Sequence, residues 1–192
     1  SRQAAIPEPP DQHVVWGIED RDRYVIAGCV DDLWLGVSAL LAVHGELAGR
    51  IGYLGISFGG GIGALALPWE SRISKAHLNV PTFGHQPLRR QLPTTGSAAA
   101  VQRFVADHPA AAATLNYFDA AVAARHIRQP VQIAAARFDP VVAPPGQFAI
   151  YNGLPADQRQ LFVLDAGHFS YPGERLQQQQ LLIALQTFLS DL

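Results

Sequence analysis

Between Arg50 and Leu67 a short apolar run, Arg50-Ile-Gly-Tyr-Leu-Gly-Ile-Ser57, passes through Phe58 into a cluster of glycines at 59, 60, 61 and 63 and on into Ala64-Leu-Ala-Leu67. Few arrangements accommodate that order. An apolar run of this length, bounded by turn residues, suits a strand buried on both faces. Residues without side chains placed directly after it suit a tight turn and a helix lying close on the sheet. The segment predicts strand, turn and helix, the unit from which parallel sheets are built.

The rest of the chain repeats the theme. Ser1 to about Gly17, with Pro7, Pro9 and Pro10, reads as a loop. Apolar residues at spacings of three and four from about Asp20 to Glu46 predict one amphipathic helix or two in tandem. Further strands are expected over Ile73–Val80, Pro130–Arg137 and Arg159–Asp165, and further helices near Ala98–Ala106, over Leu115–Ile127, over Pro144–Asn152 and over Glu174–Leu189. Residues 1–192 are read as one α/β domain, its mostly parallel sheet flanked by helices, with the proline- and alanine-rich stretch 81–116 as an inserted cap. Only about four strands are visible, so the sheet looks short on its N-terminal side. The chain has no methionine and opens with Ser1, which is expected of a piece of a longer product.

Composition narrows the function. A net charge of −2 lacks the basic surplus that nucleic acid demands. A single cysteine, Cys29, cannot form an internal disulfide and is read as a small core residue, and no Cys/His spacing suggests a zinc site. No stretch approaches a continuous apolar membrane span, and no signal-like segment opens the chain. Localisation stays open, with cytoplasm as the default.

Gly55-Ile-Ser57-Phe-Gly59 is a Gly-x-Ser-x-Gly pattern set between a predicted strand and a predicted helix. A turn that sharp strains the serine backbone and presents its hydroxyl at the helix N-terminus. There the amide of Phe58 can face an oxyanion. A nucleophilic serine needs a base and an acid, in the chain order serine, acid, histidine. His168, after Gly167 on the loop beyond the last strand, is the expected base, and Asp139, at the end of the preceding strand, the expected acid; Asp165 is the weaker alternative. Pro81, Thr82 and Phe83, at the end of the strand after the turn, are expected to line a substrate pocket. Gly59-x-Gly61-x-x-Ala64 also fits a dinucleotide fingerprint, but its glycines come after the turn and Asn79-Val80 replaces the acid that should end the next strand.

Taken in order, Asp31, Arg50-Ile-Gly, Gly55-Ile-Ser57-Phe-Gly-Gly-Gly, Asn79-Val-Pro81-Thr-Phe, Asn116-Tyr-Phe-Asp119, Phe138-Asp139-Pro-Val-Val-Ala-Pro-Pro145, Ala149-Ile-Tyr-Asn152 and Gly167-His168 resemble the acetyl xylan esterase and cephalosporin-C deacetylase family of α/β-hydrolases. The resemblance runs from about Tyr24 to the end. It implies removal of acetyl groups from sugar hydroxyls and related small esters, with no metal or other cofactor, often as a homo-oligomer. It also implies Ser57 as nucleophile, His168 as base and Asp139 as acid. Relative to that family the chain has Phe58 in place of a glutamine and Phe169 in place of a glutamate. It also lacks the N-terminal strands and the tyrosine-bearing loop whose amide completes the oxyanion hole, which is expected of a truncated hydrolase fold. Two rivals follow: a hydrolase-fold binding or assembly module without turnover, and a hydrolase of another acyl class, such as a thioesterase or peptidase.

Overall fold

The structure, a computed structural model, describes residues 6–192; of the expected N-terminal loop, residues 1–5 lie outside the described residues. Four strands, β1 (Ile51–Ile56), β2 (Ile73–Asn79), β3 (Val131–Phe138) and β4 (Arg159–Ala166), form one sheet in the order β1-β2-β3-β4 with every pair parallel. The helices are α1 (Pro10–His13), α2 (Val25–Val43), α3 (Phe58–Ala66), α4 (Gln86–Arg89), α5 (Gly96–Asp107), α6 (Ala111–Tyr117), α7 (Ala120–Ala124), α8 (Pro144–Gly153) and α9 (Glu174–Leu189). Register aligns the carboxyl ends in pairs, Ile56 opposite Asn79 and Phe138 opposite Ala166, while Asn79 sits opposite Ala134 and β3 runs on past the end of β2. The residues that follow each strand therefore emerge along one edge of the sheet, where open α/β sheets place their ligand sites.

Alternation along the strands divides the core in two. Ile51, Ala76, Leu78, Val131, Ile133 and Ala135 join a large cluster with Ile26 and Val30 of α2, Ile62 and Leu65 of α3, Leu115 of α6 and Ile150 of α8. On the opposite face Ala134, Ala136, Leu164 and Val80 pack under Leu181 of α9. The alanine-rich β3 is buried on both faces over its first six residues, as a central parallel strand should be. The far end of α9 is tied down by Lys75, which reaches from β2 to the Phe188 carbonyl at 2.8 Å and to the Asp191 carboxylate.

The strands and the last two helices fall within a residue or so of their expected places, but three expectations need correcting. The N-terminal loop contains a helical turn, α1, opened by Pro10. The first long helix starts at Val25 rather than near Asp20, because Gly17 at φ +70° and the Asp20 carboxylate, which accepts from Asp22 N at 2.9 Å, fold residues 17–23 into turns. Cys29 lies inside this helix, packed half-buried against the core. The single helix expected over Leu115–Ile127 is two, broken at Asp119. That buried carboxylate caps α7 through Ala121 N and also takes the amides of His85 and Gln86, at 2.9, 2.9 and 2.7 Å. Tertiary demand for those amides overrides the local helical pattern.

The sequence pattern also undervalued α2 as an apolar segment. Among the described residues it is the one helix long and apolar enough to cross a membrane, at 19 residues and a mean hydropathy of 1.7. In this fold its Val25, Ile26, Val30 and Val37 are buried in the main core, and the Trp34 indole donates to the Ala66 carbonyl of α3 at 3.2 Å.

Candidate active site

Ser57 sits between β1 and α3 with φ +52° and ψ −109°, a backbone that costs about 1–3 kcal/mol for a residue with a side chain. Its surroundings over-determine it. Ser57 N donates to Asn79 O at 2.8 Å, and Ser57 O accepts from Gly61 N at 3.0 Å and Thr82 N at 3.2 Å. The glycines are needed for approach. A Cβ on Gly55 would lie 2.5 Å from the Gly59 carbonyl oxygen, and one on Gly60 would lie 3.0 Å from Pro81 Cα. Of the glycines in the dinucleotide-like pattern, both within α3, Gly61 is closely packed, a Cβ there lying 2.8 Å from the Thr82 carbonyl oxygen, whereas one on Gly59 would meet only the Tyr53 hydroxyl at 3.7 Å. The Tyr53 hydroxyl secures the first turn of α3 by donating to Gly59 O at 2.6 Å. Ser57 is one of five described non-glycine residues with positive φ, with Val80, Phe83, His85 and His168. All five follow the carboxyl ends of strands, so strain is concentrated along the edge that carries the site.

The three polar residues predicted from the sequence converge there. Ser57 Oγ and His168 Nε2 are 2.8 Å apart, and His168 Nδ1 lies 2.7 Å from Asp139 Oδ2. With Asp139 ionised, Nδ1 carries the ring proton and Nε2 is left to accept from the serine hydroxyl. The Asp139 side chain is fully buried. Burial alone would push its carboxyl up, but the hydrogen bond from His168, the Val142 and Val141 amides and the charge of a protonated His168 together hold it below the ordinary carboxylate range. Both amides donate to Oδ1 at 2.9 Å.

Gly167 is required for space: a Cβ there would lie 2.5 Å from Asp139 Oδ2, while the positive φ of +59° belongs to His168. Asp165, the alternative acid, faces Arg137 at 3.5 Å and makes no bond to His168.

Phe58 begins α3, so its N–H has no acceptor within the helix and lies beside the serine. Its side chain is 40% exposed and meets Phe83 edge to face, ring centroids 5.5 Å apart. Pro81, Thr82 and Phe83 are all buried, backing the turn. Beside the histidine, Phe169 is 42% exposed and packs edge to face on Phe138 at 5.3 Å. A cavity of about 740 Å³ between α2, α3 and α6–α7, with Trp34, Trp69 and Tyr117 in its wall, includes none of Ser57, Asp139 or His168. Trp69 is largely exposed there. Among the described residues no group of three or more His, Cys, Asp or Glu could hold a metal ion.

Sequence reasoning missed Gln147, whose Nε2 donates to Asp139 Oδ2 at 3.0 Å. A single glutamine among Pro144-Pro-Gly-Gln-Phe-Ala-Ile was the available signal, a polar residue on a helix otherwise suited to the core. A hydroxyl, an imidazole and a buried carboxylate joined in this order are what general-base removal of a serine proton requires.

A family model described as acetyl xylan esterase (AXE1) matches residues 5–186. Among solved structures, an acetyl xylan esterase from Paenibacillus sp. R4 superposes with a TM-score of 0.76 at 22% identity, covering 96% of this chain and 60% of that one. Acetyl xylan esterase 1 from Thermoanaerobacterium sp. JW/SL YS485 gives 0.69 at 18% identity, covering 95% and 59%. A Pyrococcus furiosus esterase, Pf2001, gives 0.62 at 18%, covering 91% and 63%. At these identities the likeness shows the α/β-hydrolase fold. The chain spans about 60% of the length of the first two of these proteins. No curated protein matches it.

Proposed function

Because the chain belongs to the acetyl xylan esterase family, we propose that it is a carboxylic-ester hydrolase that removes acetyl or other short acyl groups from carbohydrates or related small esters through an acyl-enzyme. The observation that carries this reading is the unbroken chain from Ser57 Oγ through His168 to Asp139, at 2.8 and 2.7 Å, starting at a strained residue on a helix N-terminus.

In the first half-reaction His168 Nε2 takes the Ser57 hydroxyl proton as Oγ bonds to the ester carbonyl carbon. The Phe58 N–H faces the oxyanion that forms, and the positive end of α3 supports it. Collapse breaks the bond to the alcohol oxygen, which leaves with the proton from Nε2. In the second half a water gives its proton to Nε2 and its oxygen to the acyl carbon; Oγ then departs, regaining that proton, and the carboxylic acid is released. Asp139 stays ionised throughout, fixing the tautomer and stabilising the imidazolium. The segment 81–116 fits the part of a cap beside this edge: Thr94 and Thr95 hydroxyls donate to the Val141 and Pro140 carbonyls, at 2.8 and 3.3 Å, on the loop that carries Asp139.

The test is hydrolysis of p-nitrophenyl acetate by the chain and by Ser57→Ala, both verified as folded. Turnover should fall by about 10⁴ or more in the variant. Equal rates in the two would sink the mechanism. A second reading, a hydrolase of another acyl class, is favoured by the exposed Phe58 and Phe169, apolar surface beside the serine and the histidine. Comparing acetyl esters with thioesters and peptides of matched size separates the two.

A further inference from the structure

Gln147 is fully buried, and its amide spends its bonds on three neighbours of the site. Oε1 accepts from Ala136 N, near the end of β3, at 2.8 Å; Nε2 donates to Val142 O at 2.7 Å and to Asp139 Oδ2 at 3.0 Å. Val142 N in turn donates to Asp139 Oδ1 at 2.9 Å, so a ring closes: Oδ1 to Val142, Val142 to the amide, the amide back to Oδ2. The helix presenting the amide is itself fixed by backbone contact, since a Cβ on Gly146 would lie 2.8 Å from the Gly84 carbonyl oxygen.

We propose that Gln147 is the positioning residue of this site, holding the plane of the Asp139 carboxylate so that Oδ2 points at His168 Nδ1. The argument is one of geometry. The Val141 and Val142 amides both grip Oδ1 and leave the carboxylate free to pivot about that oxygen. Among the described residues Oδ2 receives two bonds, from His168, which must itself be oriented, and from Gln147, which is carried by α8 and anchored to β3. The amide also shares the oxygen that bonds the imidazole, which moderates its basicity without adding charge. An apolar side chain of the same size would fill the space and do neither. Asp139 is faced by uncharged groups from its own loop and from α8 and by His168 from the loop after β4; the Arg137–Asp165 pair nearby, at 3.5 Å, is exposed and bonded to neither member.

The inference rests on the serine-hydrolase reading, and its test separates the two. In Gln147→Met, kcat for p-nitrophenyl acetate should fall about tenfold with KM little changed, as expected when orientation rather than binding is lost. The His168 Nδ1 proton, observed by NMR, should shift or broaden in the same variant, a signature that needs no turnover. An Nδ1 signal identical to that of the parent chain overturns the proposal, even if the melting temperature has dropped, because Gln147 is then a packing residue. Should Gln147→Met fail to fold, Gln147→Asn keeps an amide but withdraws it by one bond, and the same signal decides. A shifted signal in a chain without Ser57-dependent turnover supports the positioning role and sinks the esterase reading instead.

Discussion

Ser57 stands between two unlike flanks. Toward β3 and β4 the acid of the site is enclosed and bonded: the Asp139 carboxylate accepts from two backbone amides, a glutamine and the histidine, and its side chain has no exposed surface. Toward the β1 edge the surface is apolar and open, with Leu54 54% and Ile56 66% exposed on the strand that delivers the serine. The difference teaches that Ser57 is held from one side. Its strain is offset by β2 and the loop after it, through Asn79 O and Thr82 N, and by the turn of α3, whereas the outer edge of β1 pairs with no strand among the described residues.

The comparison is open to breakage, and the enclosed flank should respond most. Asp139→Asn keeps the shape but lets the amide donate where the carboxylate accepted, favouring the wrong imidazole tautomer. kcat/KM should fall by about 10⁴, measured on p-nitrophenyl acetate; a loss under tenfold would mean the acid is not needed. Gly167→Ala drives a methyl toward Asp139 Oδ2, 2.5 Å away in the present geometry, and the displacement should lower kcat about 100-fold with the fold intact by circular dichroism. Acid titration gives a gentler probe. Since folding depresses the Asp139 carboxyl, its charge contributes stability that is full above about pH 4, the unfolded value, and lost as pH falls through the lower folded value. The melting temperature of Asp139→Asn should therefore decline less steeply than that of the parent below that pH. At the open flank, Leu54→Thr and Ile56→Thr should each change stability by no more than about 0.5 kcal/mol in urea melts. A loss several times larger would show that this edge is covered in solution and erase the contrast.

Much of this was legible before any coordinates. The strand–turn–helix unit around Ser57 could be read because its signal is local: an apolar run, then glycines, each answering to contacts a few residues away. Asp139 and His168 could be nominated because each follows an apolar run at the edge such folds use. What escaped was what depends on distant neighbours. Asp119 breaks a helical pattern because His85 and Gln86, remote in sequence, present amides that need an acceptor. Gln147 looks like any helix glutamine until β3 and the Asp139 loop are folded against it. Gly167 shows its role only when the carboxylate beside it is seen.

By itself, then, the sequence determined the α/β alternation, the strand–turn–helix unit at Ser57 and the types of residue available for its chemistry, because backbone propensity and apolar period act over short spans. Tertiary structure alone decided that Asp139, not Asp165, bonds His168, that Gln147 joins them, and that one flank of Ser57 is enclosed while the other lies open. Those outcomes hang on strand order and register, which bring Asp139 to His168 across 29 residues and Ser57 to His168 across 111, and which no short stretch of sequence encodes.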